Sequence, residues 1–341
     1  MLFHPEYIRS QAKKRFEKHM EKAFNRVSTL ISTLTNVRDY TIEGDESQNY
    51  HAGLFLSFLQ PALQRWNGTL ILSIDVPLDL LNSFVTVKLP HLSDIHICLS
   101  SAFLDPQAFS RFVQKHAATL KSLSLKTARC AMHSGRVAPE CINWIQTILS
   151  SIRAQTVGGG GGGSRLPELQ HVAVALRLLK ALLHVISDFL AAHSTTLKSI
   201  TLMDRALDLP DVCAVLPAFS TIGGSGLAQF VSMPLRSLEM RIDALSPNFL
   251  SLMARRLPYL QSLKLDLVDR TQMSGYARNS VCYPFLHRFV QDLNALGFDG
   301  SGWDLGRLAM SPGADRSWIA AFEEILVPRV PGLDSIEELT P

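Results

Sequence analysis

The side chains with chemistry to offer are basic or hydroxyl-bearing, and they recur along the chain rather than converge. Seven segments share the frame L-x-x-L-x-L, with other apolar residues accepted at the L positions. The first x of that frame reads Arg38, Ser93, Lys121, Gln170, Lys198, Arg236 and Gln261; four of these are basic and none is acidic. The second x reads Asp39, Asp94, Ser122, His171, Ser199, Ser237 and Ser262, with serine prevailing in the later segments. A ladder of Arg and Lys beside a row of hydroxyls has the donors to recognise an acidic or phosphorylated peptide. Arg38, Lys121, His171, Lys198, Arg236 and Lys264 (the single x between Leu263 and Leu265) are the candidate partner-binding residues. The plainer reading is a solvated face: strand positions exposed to water carry polar residues anyway, and Lys198 repeats Lys121 by duplication.

No side-chain set announces a reaction or a cofactor. His116 and His193 fall at equivalent repeat positions, which predicts a structural role at a helix–strand turn, and His96 and His171 belong to non-adjacent strands, which argues against a metal site. There is no Gly-x-Ser-x-Gly elbow and no Cys in a recognisable frame with a His partner. Gly158–Gly163 is followed by Ser-Arg rather than Lys-Ser/Thr, and it lies between a helix and a strand, the reverse of a phosphate-binding loop. Glu323-Glu324 reads as a solvated helix face, and Asp299-Gly300-Ser301-Gly302 as a turn. Basic–aromatic interleaving that would stack nucleic-acid bases is absent from the strand faces.

The elements that position these side chains follow from periodicity. In an extended segment the L positions of the frame share one face and the x positions the other. The matches are Leu34–Ile42, Leu89–Ile97, Thr119–Leu125, Leu166–Val174, Thr196–Leu202, Met233–Met240 and Tyr259–Leu265, with less regular candidates at Leu70–Ile74, Leu293–Phe298 and Leu333–Leu339. Helical spacing marks Cys141–Ile152, Arg177–Leu190, Ser246–Arg256 and Ser317–Leu326 between them. His116-x-x-Thr-Leu-Lys-Ser recurs at His193, and Leu89-Pro-x-Leu at Leu166, both at an offset of 77 residues, which predicts duplication of a two-strand unit. Residues 1–33 read as an amphipathic capping helix with Ala12, Phe16, Met20, Phe24, Val27 and Ile31 on one face, expected to pack on the end of the repeats. Residues 34–341 read as the solenoid, with a flexible poly-Gly insertion at 157–165.

Bulk properties agree with a mostly buried chain. Of 341 residues 47% are hydrophobic and 18% charged, enough apolar sequence for an elongated solenoid or two globular domains. A net charge of +3 is too weak to argue for nucleic-acid binding. The five cysteines are scattered and odd in number, which fits reduced thiols in a cytoplasmic or nuclear protein. The first 30 residues are charged and carry no signal-peptide core, and the apolar run Val172–Ala192 is broken by Arg177, Lys180, His184 and Asp188, so no membrane span is expected.

With these strands and turns in hand, the chain resembles the repeat region of fungal F-box-type leucine-rich repeat proteins. The phrase that carries the resemblance is F-x-x-F-V-x-x-H-x-x-T-L-x-S-L-x-L at Phe109–Leu125, and the likeness covers residues 30–340. Two features depart from the family pattern. No Asn or Cys follows the third L (Ala128 and Arg205 stand there), and no Leu-Pro-x-Glu F-box motif is found. The resemblance implies an α/β fold, an irregular leucine-rich repeat horseshoe of about ten strand–helix units. It also implies a non-catalytic, monomeric protein-interaction module without cofactors. As the substrate-recognition part of an F-box ubiquitin ligase subunit it would meet a Skp-type adaptor only through a restored F-box. The alternatives are a stand-alone repeat scaffold and an enzyme whose site the sequence does not reveal.

Overall fold

The computed structural model describes residues 5–43, 62, 65, 66, 68, 70–75, 87–99, 106–127, 146–150, 152, 166–175, 183–216, 235–268, 283–311 and 316–339. Helix α1 (Pro5–Thr33) leads into strands β1 (Asp39–Glu43), β2 (Ile71–Asp75) and β3 (Asp94–Leu99). Then come α2 (Pro106–Lys115), β4 (Ser122–Thr127), β5 (His171–Ala175), α3 (Leu183–Ala192), β6 (Ser199–Leu207) and α4 (Leu209–Val215). β7 (Ser237–Ile242), α5 (Pro247–Arg256), β8 (Ser262–Leu267), α6 (Tyr283–Ala295), β9 (Arg307–Met310), α7 (Arg316–Leu326) and β10 (Ile336–Glu338) complete the order. All ten strands belong to one sheet in strict sequence order, and every pairing is parallel. This is an α/β, solenoid-like architecture.

The register stacks like positions of the frame. Tyr40, Leu72, Ile95, Leu123, Val172, Ile200, Leu238, Leu263 and Leu308 form one inward row across β1–β9. Leu125, Val174, Leu202, Met240 and Leu265 form the next, and both rows join a single hydrophobic core with Phe109, Phe112 and Val113 of α2 and Phe189 of α3. Each fully buried aliphatic or Phe side chain is worth about 1.5–3 kcal/mol of transfer free energy, so the repeated L positions hold the sheet to its helices. The strand-entry backbone adds a second repeat. The carbonyl of the first x accepts both N–H groups of the next strand's first two x residues, as Lys121 O does from Gln170 N (2.8 Å) and His171 N (2.9 Å), and Lys198 O from Arg236 N (2.8 Å) and Ser237 N (3.0 Å).

Two kinds of turn feed the strands. Leu-Pro-x-Leu turns precede β3, β5 and β8, each closed by an N–H···O bond of 3.1 Å between the two leucines. Pro suits the second position of such a turn because its φ is already set. His-x-x-Thr-Leu turns precede β4 and β6: His116 O accepts from Thr119 N and Leu120 N, and His193 O from Thr196 N and Leu197 N. Thr119 Oγ1 also donates to Leu92 O (2.7 Å), tying this turn back to the Leu-Pro turn of the preceding strand. The imidazoles meet phenylalanines one helical turn earlier at steep interplanar angles, Phe112–His116 edge-on and Phe189–His193 tilted, both at 4.8 Å between ring centres. β3/β5, α2/α3 and the starts of β4/β6 all sit 77 residues apart, so the offset between the sequence landmarks is also the offset between elements.

One expected strand is overturned. Leu293–Phe298 is the end of α6 and its cap: Gly297 has φ +58° and donates to Asn294 O (3.0 Å), and Phe298 N donates to Leu293 O (3.0 Å). These two bonds make a Schellman ending, in which the residues at either end of the motif form an apolar pair. Leu293 and Phe298 are that pair, which is why their spacing imitates a strand. The strand itself is β9, where Leu305-Gly-Arg-Leu308-Ala-Met310 repeats the frame with Met in the third place, as Met240 does in β7.

At the other end, only part of the expected α1 stripe is covered. Phe24 and Ile31 lie against the core, whereas Phe16 and Val27 are 55% and 40% exposed. Trp66 is fully buried, faces Tyr40 at 4.9 Å and donates from Nε1 to Leu34 O (2.8 Å), closing the junction of α1 and β1. The poly-Gly segment at 157–165 lies outside the described residues. No helix among the described residues is long and apolar enough to cross a membrane.

Candidate functional site on the open face of the sheet

The face turned away from the core carries the x positions. Its floor over β4–β6 is made of small groups: Ser122 and Ser124 on β4, Ala173 on β5, and Ser199 and Thr201 on β6. Ser124 is buried and its Oγ has no hydrogen-bond partner among the described residues. A hydroxyl left in that state lacks about 1–3 kcal/mol of compensation for its lost water.

Lys121, His171, Lys198 and Arg236 come together along the entry edge of this floor, one on each of four successive strands from β4 to β7. Strand spacing places Lys121 and Lys198 about 10 Å apart and Lys198 beside Arg236 at about 5 Å. Lys121, Lys198 and Arg236 stand in the first-x row, immediately before their strands begin, and His171 opens β5 between Ser122 and Ser199. All four are exposed. Among the described residues Lys121 and Lys198 meet no carboxylate, and Arg236 donates only to the Tyr259 carbonyl (Nη1–O 3.2 Å). The backbone at Lys121, Lys198 and Arg236 is engaged in the strand-entry bonds, so the Cα atoms that carry these cations are held at fixed spacing.

Arg38 and Lys264 are not part of this group. Arg38 lies at the entry to β1, with β2 and β3 between it and Lys121. Lys264 projects from the middle of β8 and is engaged by Glu239 of β7 (Nζ–Oε2 3.8 Å). Sequence reasoning missed this ion pair and its neighbours, Arg241–Asp266 (3.3 Å) in the same two strands and Arg307–Glu337 (Nε–Oε2 2.9 Å) between β9 and β10. The signal was available: laying the frame of β7 over that of β8 puts Glu239 opposite Lys264 and Arg241 opposite Asp266. The open face is thus divided: over β7–β10 three cation–carboxylate pairs bridge neighbouring strands, and over β4–β6 small polar groups lie beside the basic edge that runs on to Arg236.

Lys126, the exposed residue at the far end of β4, is a further basic group that the frame did not single out. On the neighbouring strand, His96 of β3, which pairs with Ser124, has its pKa lowered, first by burial and also by the Lys126 charge, against an opposing pull from Asp94. β4 separates His96 from His171, and among the described residues no group of three or more His, Cys, Asp and Glu could hold a metal ion. His116 and His193 lie on the core side, buried, and burial pushes both pKa values down to about 4.

No protein-family model and no curated protein matches the chain. Among solved structures, the yeast Rad7–Elc1 complex is similar at a TM-score of 0.19 and 8% identity, over 79% of this chain and 96% of that one. A likeness at that level carries no argument about fold or function.

Proposed function

We infer that the chain is a leucine-rich repeat protein that binds a protein partner without catalysis, taking an acidic or phosphorylated segment along the basic edge of β4–β7. The observation that carries this reading is the set Lys121, Lys198 and Arg236: three cations on a rigid backbone ladder, without carboxylate partners among the described residues, beside a floor of hydroxyls. Phosphate or carboxylate oxygens accept charge-assisted bonds from such groups and weaker ones from the serines. The Lys121→Glu/Lys198→Glu double variant tests it. Binding of the partner, recovered from native cells by affinity purification, should fall by roughly tenfold or more while circular dichroism and the melting temperature stay unchanged. Unaltered binding would overturn the assignment.

The specific form of this function is substrate recognition within an F-box ubiquitin ligase, in the cytoplasm or nucleus, and its support is the sequence resemblance. Mass spectrometry of the purified material, with and without any upstream coding sequence, separates the readings. Recovery of a Skp-type adaptor and a cullin supports the ligase; their absence in both forms, beside another reproducible partner, makes the chain a stand-alone scaffold.

A further inference from the structure

Helix α1 carries more apolar surface than the sheet covers. Along its length Phe16, Met20, Ala23, Val27 and Leu30 recur at alternating steps of four and three, and Leu34, the residue just past its end, continues the series. That is the spacing of a coiled-coil seam, narrower than the face of an ordinary core helix. Phe24 and Ile31, on one side of the seam, rest on the core. The seam itself remains outside: Val27 is 40% exposed, Leu30 67% and Leu34 52%. Its other side is bordered by Arg15, His19, Lys22 and Arg26, all exposed and without a carboxylate partner among the described residues. Glu17 and Glu21 fall on the opposite flank, so this border carries one sign of charge.

The geometry points to a second docking surface, on which α1 pairs in coiled-coil fashion with an acidic amphipathic helix of another protein. Charge complementarity selects this occupant: carboxylates flanking an apolar seam would meet Arg15, His19, Lys22 and Arg26 while apolar knobs enter the hole left by the small Ala23. A second copy of the chain fits badly. Antiparallel pairing sets the basic borders against each other, and parallel pairing needs the flank of Phe24 and Ile31, which the core already occupies. A membrane surface fits badly too, because a helix lying in lipid offers a broad apolar face with polar borders on both sides, whereas here one border is taken by the protein.

The test uses the full chain and a synthetic amphipathic peptide about four heptads long, with Leu and Ile in the seam and Glu beside it, and its Lys-flanked analogue. Fluorescence anisotropy should show salt-sensitive binding of the Glu peptide and little binding of the Lys peptide. Leu30→Asp should weaken the Glu peptide by roughly tenfold or more, and Lys22→Glu/Arg26→Glu should shift preference toward the Lys peptide. These residues are exposed, so circular dichroism and melting of both variants should match the parent. Equal affinity for the two peptides, or affinity unchanged in both variants, would overturn the proposal. So would failure of the Glu peptide to bind, whether the chain instead pellets with phosphatidylserine vesicles, forms a dimer in sedimentation, or does neither.

Discussion

His116 and His193 show how a titratable group can serve the core. Each ring packs at an angle against a phenylalanine inside the core, and desolvation takes its pKa from 6.5 to about 4. Both imidazoles therefore stay neutral in the folded chain at a pH where they bind protons in the unfolded one. Stability is complete above the ordinary histidine pKa and declines as the pH falls from about 6.5 towards 4, by about 1.4 kcal/mol per pH unit for each ring. Urea midpoints measured over that window should fall steeply for the parent and less steeply for His116→Gln/His193→Gln; parallel slopes would place the acid sensitivity elsewhere. Ser124 presents the opposite case, a buried hydroxyl with no bonding partner among the described residues. Ser124→Ala should leave the urea midpoint unchanged or raise it by the equivalent of about 1 kcal/mol, and a drop would reveal a bond made by that hydroxyl.

At the level of elements, the end of α6 is governed by one backbone angle. Gly297 sits at φ +58° with open space where a Cβ would point, so the cost of a side chain there is conformational rather than steric. Gly297→Ala should lower stability by about 1 kcal/mol in equilibrium unfolding, with Gly297→Asn closer to the parent because Asn tolerates this region. The same motif explains what the sequence made legible and what it hid. Strands stood out wherever the frame kept apolar residues at its inward places, because alternation is a local property: Leu120, Leu123 and Leu125 sufficed for β4. The helix ending at Leu293 and Phe298 passed for a strand because a Schellman pair shares that spacing. β9 escaped because Gly306 stands at the first x of its frame, where each of the seven recognised segments carries a polar side chain. Among candidate binding residues, Lys121 and Lys198 were found because repetition marks them. The engagement of Lys264 by Glu239 is not legible in either strand alone; it emerges only when the frames of β7 and β8 are laid side by side, as the sheet pairs them.

For the whole molecule, each strand bonds only to its neighbours in sequence, and the described sheet has two open ends, β1 and β10. Protection should therefore fall off towards both ends, as in other arrays held by nearest-neighbour contacts. Hydrogen exchange followed by mass spectrometry should show β4–β8 exchanging most slowly. Arg307→Ala, which removes the Arg307–Glu337 ion pair, should speed exchange in β10 while leaving β4–β6 as they were. Acceleration spread evenly over the sheet would mean that the array opens as one unit. The equal spacing of β3/β5 and β4/β6 also bears on how such a chain can change over generations. Misaligned recombination between copies 77 residues apart would remove or add one two-strand unit. Since the unit begins and ends in equivalent turns, the product would keep an unbroken ladder. Length can then drift by whole units, a freedom denied to a closed barrel, where one strand more or fewer alters the entire ring.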